Sequence, residues 1–487
     1  MGEHDRYGII IDSGSSGSRL QVYKWTDPVF LQESSKDENI LRSIPKIVQE
    51  DNWSYKISPG ISSFKDRPSH VWDEHFRHLM EYAEKIIPLD QQAETPIFVL
   101  ATAGMRMVQE TPRFKILNNV CTGINKHSNF YIPDCQNHVR VIDGETEGLF
   151  GWIGLNYLMG QFDNYDQNQD HTSFGFMDMG GASTQIAFVP SNKSEISKHT
   201  NDLFTVNLRN VNGDTQSWKV FVSTWLGFGA NEARRRHLKN AISSLPENID
   251  TKEEYDKYLF DPCSPKDVVI DFQYNNKDYK IKGLGDYEVC LKDIYPLLLK
   301  HLPCDDNPCL FNGVHAPQID FKEDKFVGVS EYWYTANDVF NMGGEYNFLK
   351  FNEKVKEFCS EEWATISSNF EAGKYGENMK LEYLKDSCFK ASWVINILHE
   401  GFGLPRIGID TSYLSEDQLK SLNSENNELE QAKNLQHIPS FQSVNLVEGA
   451  ELSWTLGKML LYVSNQIPSK DNNDNVYRIG IIPSENS

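Results

Sequence analysis

The chain has 487 residues, 39% of them hydrophobic and 12% aromatic, which suits a well-packed protein of two or three domains and excludes a disordered chain. Its formal net charge of -22 argues against an extended basic surface for nucleic acid, so an anionic substrate must be received by local backbone N–H groups, a few arginines or a metal. No apolar stretch reaches the ~18 residues of a transmembrane helix, and MGEHDRYG lacks the basic and apolar regions of a secretory signal.

In chain order, residues 7–12 predict a strand running into the loop DSGSSGSR (12–19), and alternation over 20–25 predicts a second strand paired with it as a hairpin. Apolar residues recurring from Val71 to Ile87 predict an amphipathic helix. IFVLA (97–101) reads as a buried strand that runs into ATAGMR. After VRVID (139–143) come GETEG and an apolar helix over 149–159. A second cycle starts near Ser173. Residues 174–178 read as a strand ending in aspartate, and MGGAST follows. Strand, aspartate and small-residue loop thus occur twice, which points to two homologous α/β domains, each offering one loop.

Residues 204–225 predict a hairpin turning at Asn212-Gly213. A helix starting near Gly229 carries Arg234, Arg235 and Arg236, expected as a solvated face in preference to a phosphate contact. The polar stretch 410–440 reads as a loop or linker. A final apolar helix over 452–463 is expected to pack back on the first domain.

Eight cysteines fall in short-range sequential pairs, which suits four disulfides; no CxxC cluster of the kind zinc prefers is present. The simplest pairing is 121–135, 263–290, 304–309 and 359–388. Disulfides imply an oxidising compartment, where the sequons Asn52-Trp-Ser54 and Asn192-Lys-Ser194 are permissive for glycosylation.

The chemistry gathers in the loops. Gly14 and Gly17 let the backbone turn tightly, successive N–H groups of Ser13 to Ser18 form an anion nest, the serine hydroxyls add donors, and Arg19 would stabilise the loop or the anion. Asp12 and Asp178, each at a strand end, suit a hydrated Mg²⁺ or Ca²⁺ beside a phosphate chain. GETEG places Glu145 and Glu147 at a helix start. Either can polarise a water for in-line attack on phosphorus, and either can serve as a plain helix cap. No GxSxG, HExxH or CxxC motif occurs, so lipid, protease and redox chemistry have no positive feature.

Together DSGSSGSR (12–19), ATAGMR (101–106), GETEGLFGW (144–152), DMGGASTQ (178–185) and WLGFGANEA (225–233) resemble, in order, the five apyrase regions of the nucleoside triphosphate diphosphohydrolases. SWTLGKML (453–460) resembles that family's closing helix, and EYWYTANDVF (331–340) and CDDNPCLFNGVHAP (304–317) are most similar to its fungal Golgi members. The resemblance implies an α/β fold: two RNase H-like domains of the actin, hexokinase and heat-shock-chaperone superfamily, with nucleotide bound between them. Residues 1–147 with 444–487 would form one domain and 148–443 the other.

It further implies Glu147 as the catalytic base, Ser183 as the residue positioning the attacking water, and Thr102 and Gln185 completing the polar site. Asp12 and Asp178 would hold Mg²⁺ or Ca²⁺ (Mn²⁺ also fits) largely through water. Phosphate donors would come from Ser13, Gly14, Ser15, Ser16, Gly17, Ser18 and Arg19, and from Gly180, Gly181 and Ala182. The base would stack on Trp454 with Trp333 or Tyr334. Ser13 stands where alanine is common, and Lys458 replaces a frequent aromatic.

The expected protein is a metal-dependent apyrase cleaving nucleoside tri- and diphosphates without a phosphoenzyme. It would be a monomeric lumenal Golgi domain, held to the membrane by a C-terminal helix outside this sequence, and would clear GDP or UDP left by glycosyl transfer. The rivals are a nucleoside diphosphatase that largely ignores triphosphates, a non-catalytic nucleotide switch on the same fold, and a polyphosphate hydrolase.

Overall fold

The computed structural model describes all residues except 1, 3, 246–257, 305, 411–437, 448–449, 471–477 and 486–487. Most of the linker expected over 410–440 therefore lies outside the described residues. The chain forms two compact units: Met1–Met177 with Ala182–Leu226 and Leu446–Ser487, and Asp178–Gly181 with Gly227–Asn445.

In the first unit, strand Asp5–Ser13 occupies the middle of a sheet. It pairs antiparallel with Ser18–Thr26, as the expected hairpin, and parallel with Ile97–Ala101, which in turn pairs parallel with Val139–Val141. Ile9, Ile10 and Ile11 are fully buried. A strand covered on both faces reads as a continuous apolar run, and each such side chain contributes about 1.5–3 kcal/mol. The helix expected over 71–87 opens with one wide turn, Trp72–Phe76, and continues as Arg77–Ile86.

The same unit holds an antiparallel set in which Ser183–Phe188 pairs with Thr215–Leu226, then Phe204–Arg209, then Gly480–Ile482. The hairpin turns at Gly213, whose φ of +89° suits a residue without a Cβ. Helix Gly144–Leu158 packs on this sheet and against helix Trp454–Ser464. The two helices meet at Gly457, where a Cβ would stand 1.8 Å from the Phe150 carbonyl oxygen. Only glycine permits that approach.

In the second unit, strand Phe326–Ser330 pairs parallel with Phe441–Ser443, which pairs antiparallel with Gly344–Glu345. A helical core gathers around Phe351, Val355, Ile366 and Leu384, and Tyr346 links it to the sheet, its ring 5.5 Å from Phe351 and 5.8 Å from Phe441. The arginine trio departs from expectation. Arg234 is buried, donating to Asp261 at 2.7 Å, Asp386 at 2.9 Å and Ser264 at 2.7 Å, and Arg236 donates to the Gly227 and Leu297 carbonyls. Only Arg235 is exposed. The trio is therefore not a solvated face: a buried guanidinium is tolerated because acids, a hydroxyl and carbonyls take up its donors.

All eight cysteines pair, as Cys121–Cys135, Cys263–Cys290, Cys304–Cys309 and Cys359–Cys388. No described helix is long and apolar enough to cross a membrane.

Candidate active site

The first loop is shaped by close packing. Gly14 N–H donates to the Gly17 carbonyl at 2.9 Å, closing the turn. At Gly104 a Cβ would sit 2.8 Å from Ser15 Cα, so ATAGMR carries a glycine where it presses on DSGSSGSR. Thr102 N–H donates to the Ser13 carbonyl at 3.2 Å.

Within the loop, the serines divide. The Ser13 and Ser18 hydroxyls are buried 3.0 Å apart, and His75 Nε2 stands 2.7 Å from Ser18 Oγ. Burial, then the neighbouring His78, lowers the His75 pKa to about 4, so the imidazole is neutral at neutral pH. These two hydroxyls face the protein, whereas Ser15 and Ser16 are exposed. Arg19 pairs with Glu451, which also accepts from Gln21 Nε2 at 3.1 Å. That contact braces the hairpin.

The third motif resolves an ambiguity left by its sequence. Helix Gly144–Leu158 is capped by Asp143, whose carboxylate accepts from Thr146 N–H at 2.6 Å. With the cap supplied, neither glutamate is needed for it. Glu147 is only 7% exposed and accepts from Arg106 Nη2, while Arg106 Nε donates to the Ile142 carbonyl at 2.9 Å. Glu145 is half-buried, and burial raises its pKa. Glu147 is thus the acid held in a fixed position.

Nearby on the sheet, Gln185 Nε2 donates to Ser183 Oγ at 2.8 Å and to Thr224 Oγ1 at 3.0 Å. The bond fills one acceptor position of Ser183 and leaves its own proton to be donated elsewhere. Both side chains are buried, which restricts their rotation.

The second loop belongs to the second unit through Gly181. Its carbonyls cap a helix: Gly180 O accepts from Ala230 N–H at 2.9 Å, and Gly181 O from Asn231 and Glu232 at 2.9 and 3.0 Å. The helix so capped, Ala230–Ser243, is the one anchored by Arg234. Asp178 is buried, and burial raises its pKa to about 6 against the opposing hydrogen bond from the Ser330 hydroxyl.

Of the aromatic candidates, Trp454 is 4% exposed and stacks on Phe150 with ring centroids 6.3 Å apart. It is a core residue. Trp333 is half-buried and Tyr334 is 36% exposed.

A model of the GDA1/CD39 (nucleoside phosphatase) family matches residues 1–474. The chain belongs to that family. It is 50% identical to the Golgi apyrase of Saccharomyces cerevisiae over 99% of this chain and 74% of that protein. It is 42% identical to the Golgi apyrase of Schizosaccharomyces pombe over 95% of this chain and 76% of that one. The fold is similar to a crystal structure of nucleoside triphosphate hydrolases from Neospora caninum, with a TM-score of 0.51 and 14% identity, covering 94% of this chain and 92% of that one. The architecture is accordingly α/β, and the protein is a nucleoside phosphatase that depends on a divalent metal.

Such a group takes oxygen ligands, and each unit offers a strand-end carboxylate of that kind, Asp12 in the first and Asp178 in the second; a buried acid with a raised pKa is one whose ionised form a cation would stabilise. Among the described residues, the cluster His237, Asp261 and Cys263 in the second unit is committed otherwise: Cys263 is in a disulfide and Asp261 holds Arg234. Sequence reasoning missed Arg106, Thr224, His75 and Ser330. Arg106 closes a quoted motif and was findable; the others carry no local signal.

Proposed function

We propose that the protein is an apyrase that removes the terminal phosphate from nucleoside tri- and diphosphates, with Glu147 as general base. The observation that carries this reading is the buried Glu147 carboxylate held by Arg106 on a helix capped by a different acid. Glu147 would take a proton from a water attacking the terminal phosphorus in line. The P–O bond to the bridging oxygen breaks, inorganic phosphate leaves, and no phosphoenzyme forms.

Ser183, with its oxygen already accepting from Gln185, would donate or orient at that water, and Thr102 would complete the polar surround. Backbone N–H groups of residues 13–18 and 180–182 would receive phosphate oxygens, together with the exposed hydroxyls of Ser15 and Ser16. Asp12 and Asp178 would hold Mg²⁺ or Ca²⁺, which when bound offsets charge on the phosphate oxygens. Trp333 and Tyr334 are the better candidates for stacking on the base, because Trp454 is enclosed. Arg19, paired with Glu451, supports the loop.

The division into homologous domains at 1–147 with 444–487 and at 148–443 rests on the repeated aspartate-ended strands. A Golgi lumenal setting, with GDP and UDP among the substrates, is supported by the Golgi relatives and by four disulfides. Monomeric state and attachment through a C-terminal helix complete the reading.

Glu147→Ala is expected to abolish phosphate release, a loss of about 10²–10⁴-fold, while nucleotide still binds in calorimetric titration. Retained turnover would overturn the assignment of the base. Phosphate release from ATP, ADP, GDP and UDP, with Mg²⁺, Ca²⁺ or chelator, separates an apyrase from a diphosphatase.

A further inference from the structure

Gln185 and Thr224 stand opposite each other on two antiparallel strands, Ser183–Phe188 and Thr215–Leu226. Ser183 and Gln185 are two positions apart on one strand, so their side chains share a face of the sheet. The Gln185 amide nitrogen carries two hydrogens, and each has a hydroxyl to meet: Ser183 Oγ at 2.8 Å and Thr224 Oγ1 at 3.0 Å. An amide tied at one hydrogen can still swing about its last side-chain bond. Tied at both it cannot, and because the group is planar the direction of its oxygen is fixed as well.

Thr224 also meets the helix that carries Glu147. Helix Gly144–Leu158 packs across both strands. A Cβ at Gly144 would run into Thr224 Oγ1, and one at Gly148 would stand 2.9 Å from Val222 Cγ2 and 3.4 Å from Gln185 Cβ. The two glycines of GETEG, about one helical turn apart, are therefore the points where the helix comes closest to the sheet, and Glu147 lies between them. The threonine at the first of these points is the one that anchors Gln185.

We propose that Thr224 is a positioning residue for hydrolysis: its hydroxyl oxygen fixes the Gln185 amide beside Ser183, at the place where the first turn of the Glu147 helix rests on the sheet. This rests on the reading of Glu147, Ser183 and Gln185 as the groups around the attacking water. Hydroxyl and packing separate by substitution. Thr224→Val keeps the shape against Gly144 and removes the acceptor, whereas Thr224→Ser keeps the acceptor and removes a methyl group.

The full chain and its variants are compared in kcat, KM and nucleotide affinity by calorimetric titration. Thr224→Val is expected to lower kcat about 10–100-fold, as misplacement of a group at the reacting centre does, with KM and affinity within about twofold of wild type. Thr224→Ser is expected to keep kcat within about threefold. In a Gln185→Ala background the valine substitution is expected to cost less than about twofold, because the group it acts through is gone. If the valine variant does not fold, Thr224→Ala takes its place. Wild-type kcat in Thr224→Val overturns the proposal, and so does an equal loss in Thr224→Ser, a change confined to KM, or losses that multiply in the double variant. Gln185→Ala alone tells two failures apart. Wild-type kcat there removes Gln185 from the site, whereas a loss there beside wild-type kcat in Thr224→Val removes only the role of Thr224.

Discussion

The two aspartate-ended loops share a sequence signature but are supported by different means. The loop after Asp12 is pressed into shape by sterics: Gly104 lies against Ser15, and the inward hydroxyls of Ser13 and Ser18 are tied to a neutral His75. The loop after Asp178 is held by polar backbone groups: its carbonyls cap helix Ala230–Ser243. A common motif therefore specifies the small residues and the acid, not the support. Support can be steric in one copy and electrostatic in the other.

That contrast is open to attack through its parts, the largest effect coming from His75. Its folded pKa of about 4 lies below the ordinary histidine value of 6.5, so the neutral form is the one the fold prefers. The resulting stability is fully present above pH 6.5 and is lost as pH falls toward 4, about 3 kcal/mol over that window. In urea unfolding across pH, His75→Gln is expected to show a shallower acid decline than wild type, the difference isolating His75 from other buried histidines such as His399. Identical pH slopes would remove the neutral histidine from the support of the first loop.

Next comes Gly104→Ala, which drives a methyl group into the Ser15 backbone. Destabilisation of about 1–3 kcal/mol is expected, with a higher KM for nucleotide; an unchanged KM would show that the first loop does not depend on steric support. The smallest effect belongs to Ala230→Pro. Proline is accepted at the first position of a helix but removes the N–H that Gly180 accepts, at a cost of about 1 kcal/mol. Thermal unfolding and Mg²⁺-dependent hydrolysis measured together would show whether that bond supports the second loop.

Much of the first unit was legible because its signals are local. Three consecutive isoleucines mark a strand buried on both faces, Asn212-Gly213 marks a hairpin, and short sequence intervals brought each cysteine to its partner. Where partners come from distant sequence, local reading failed. Arg234 looked like one of three solvated cations because nothing nearby announces Asp261 or Asp386. Glu147 and Glu145 were equivalent until Asp143 took the cap and Arg106 took Glu147. Trp454 read as a platform for a base, since its packing on Phe150 depends on the contact at Gly457.

The contact between Gly457 and the Phe150 carbonyl also sets an order of events during synthesis. Helix Gly144–Leu158 carries Glu147, yet the helix that packs against it is made some 300 residues later. At about 5–20 residues per second, the nascent chain waits tens of seconds with that apolar face uncovered. A ribosome-bound chain stopped before Trp454 would thus carry every proposed reacting group without the packing that holds Glu147 in place. The enzyme would acquire its activity late, only once the closing helix has been made, and until then the uncovered helix is a natural binding surface for a folding chaperone.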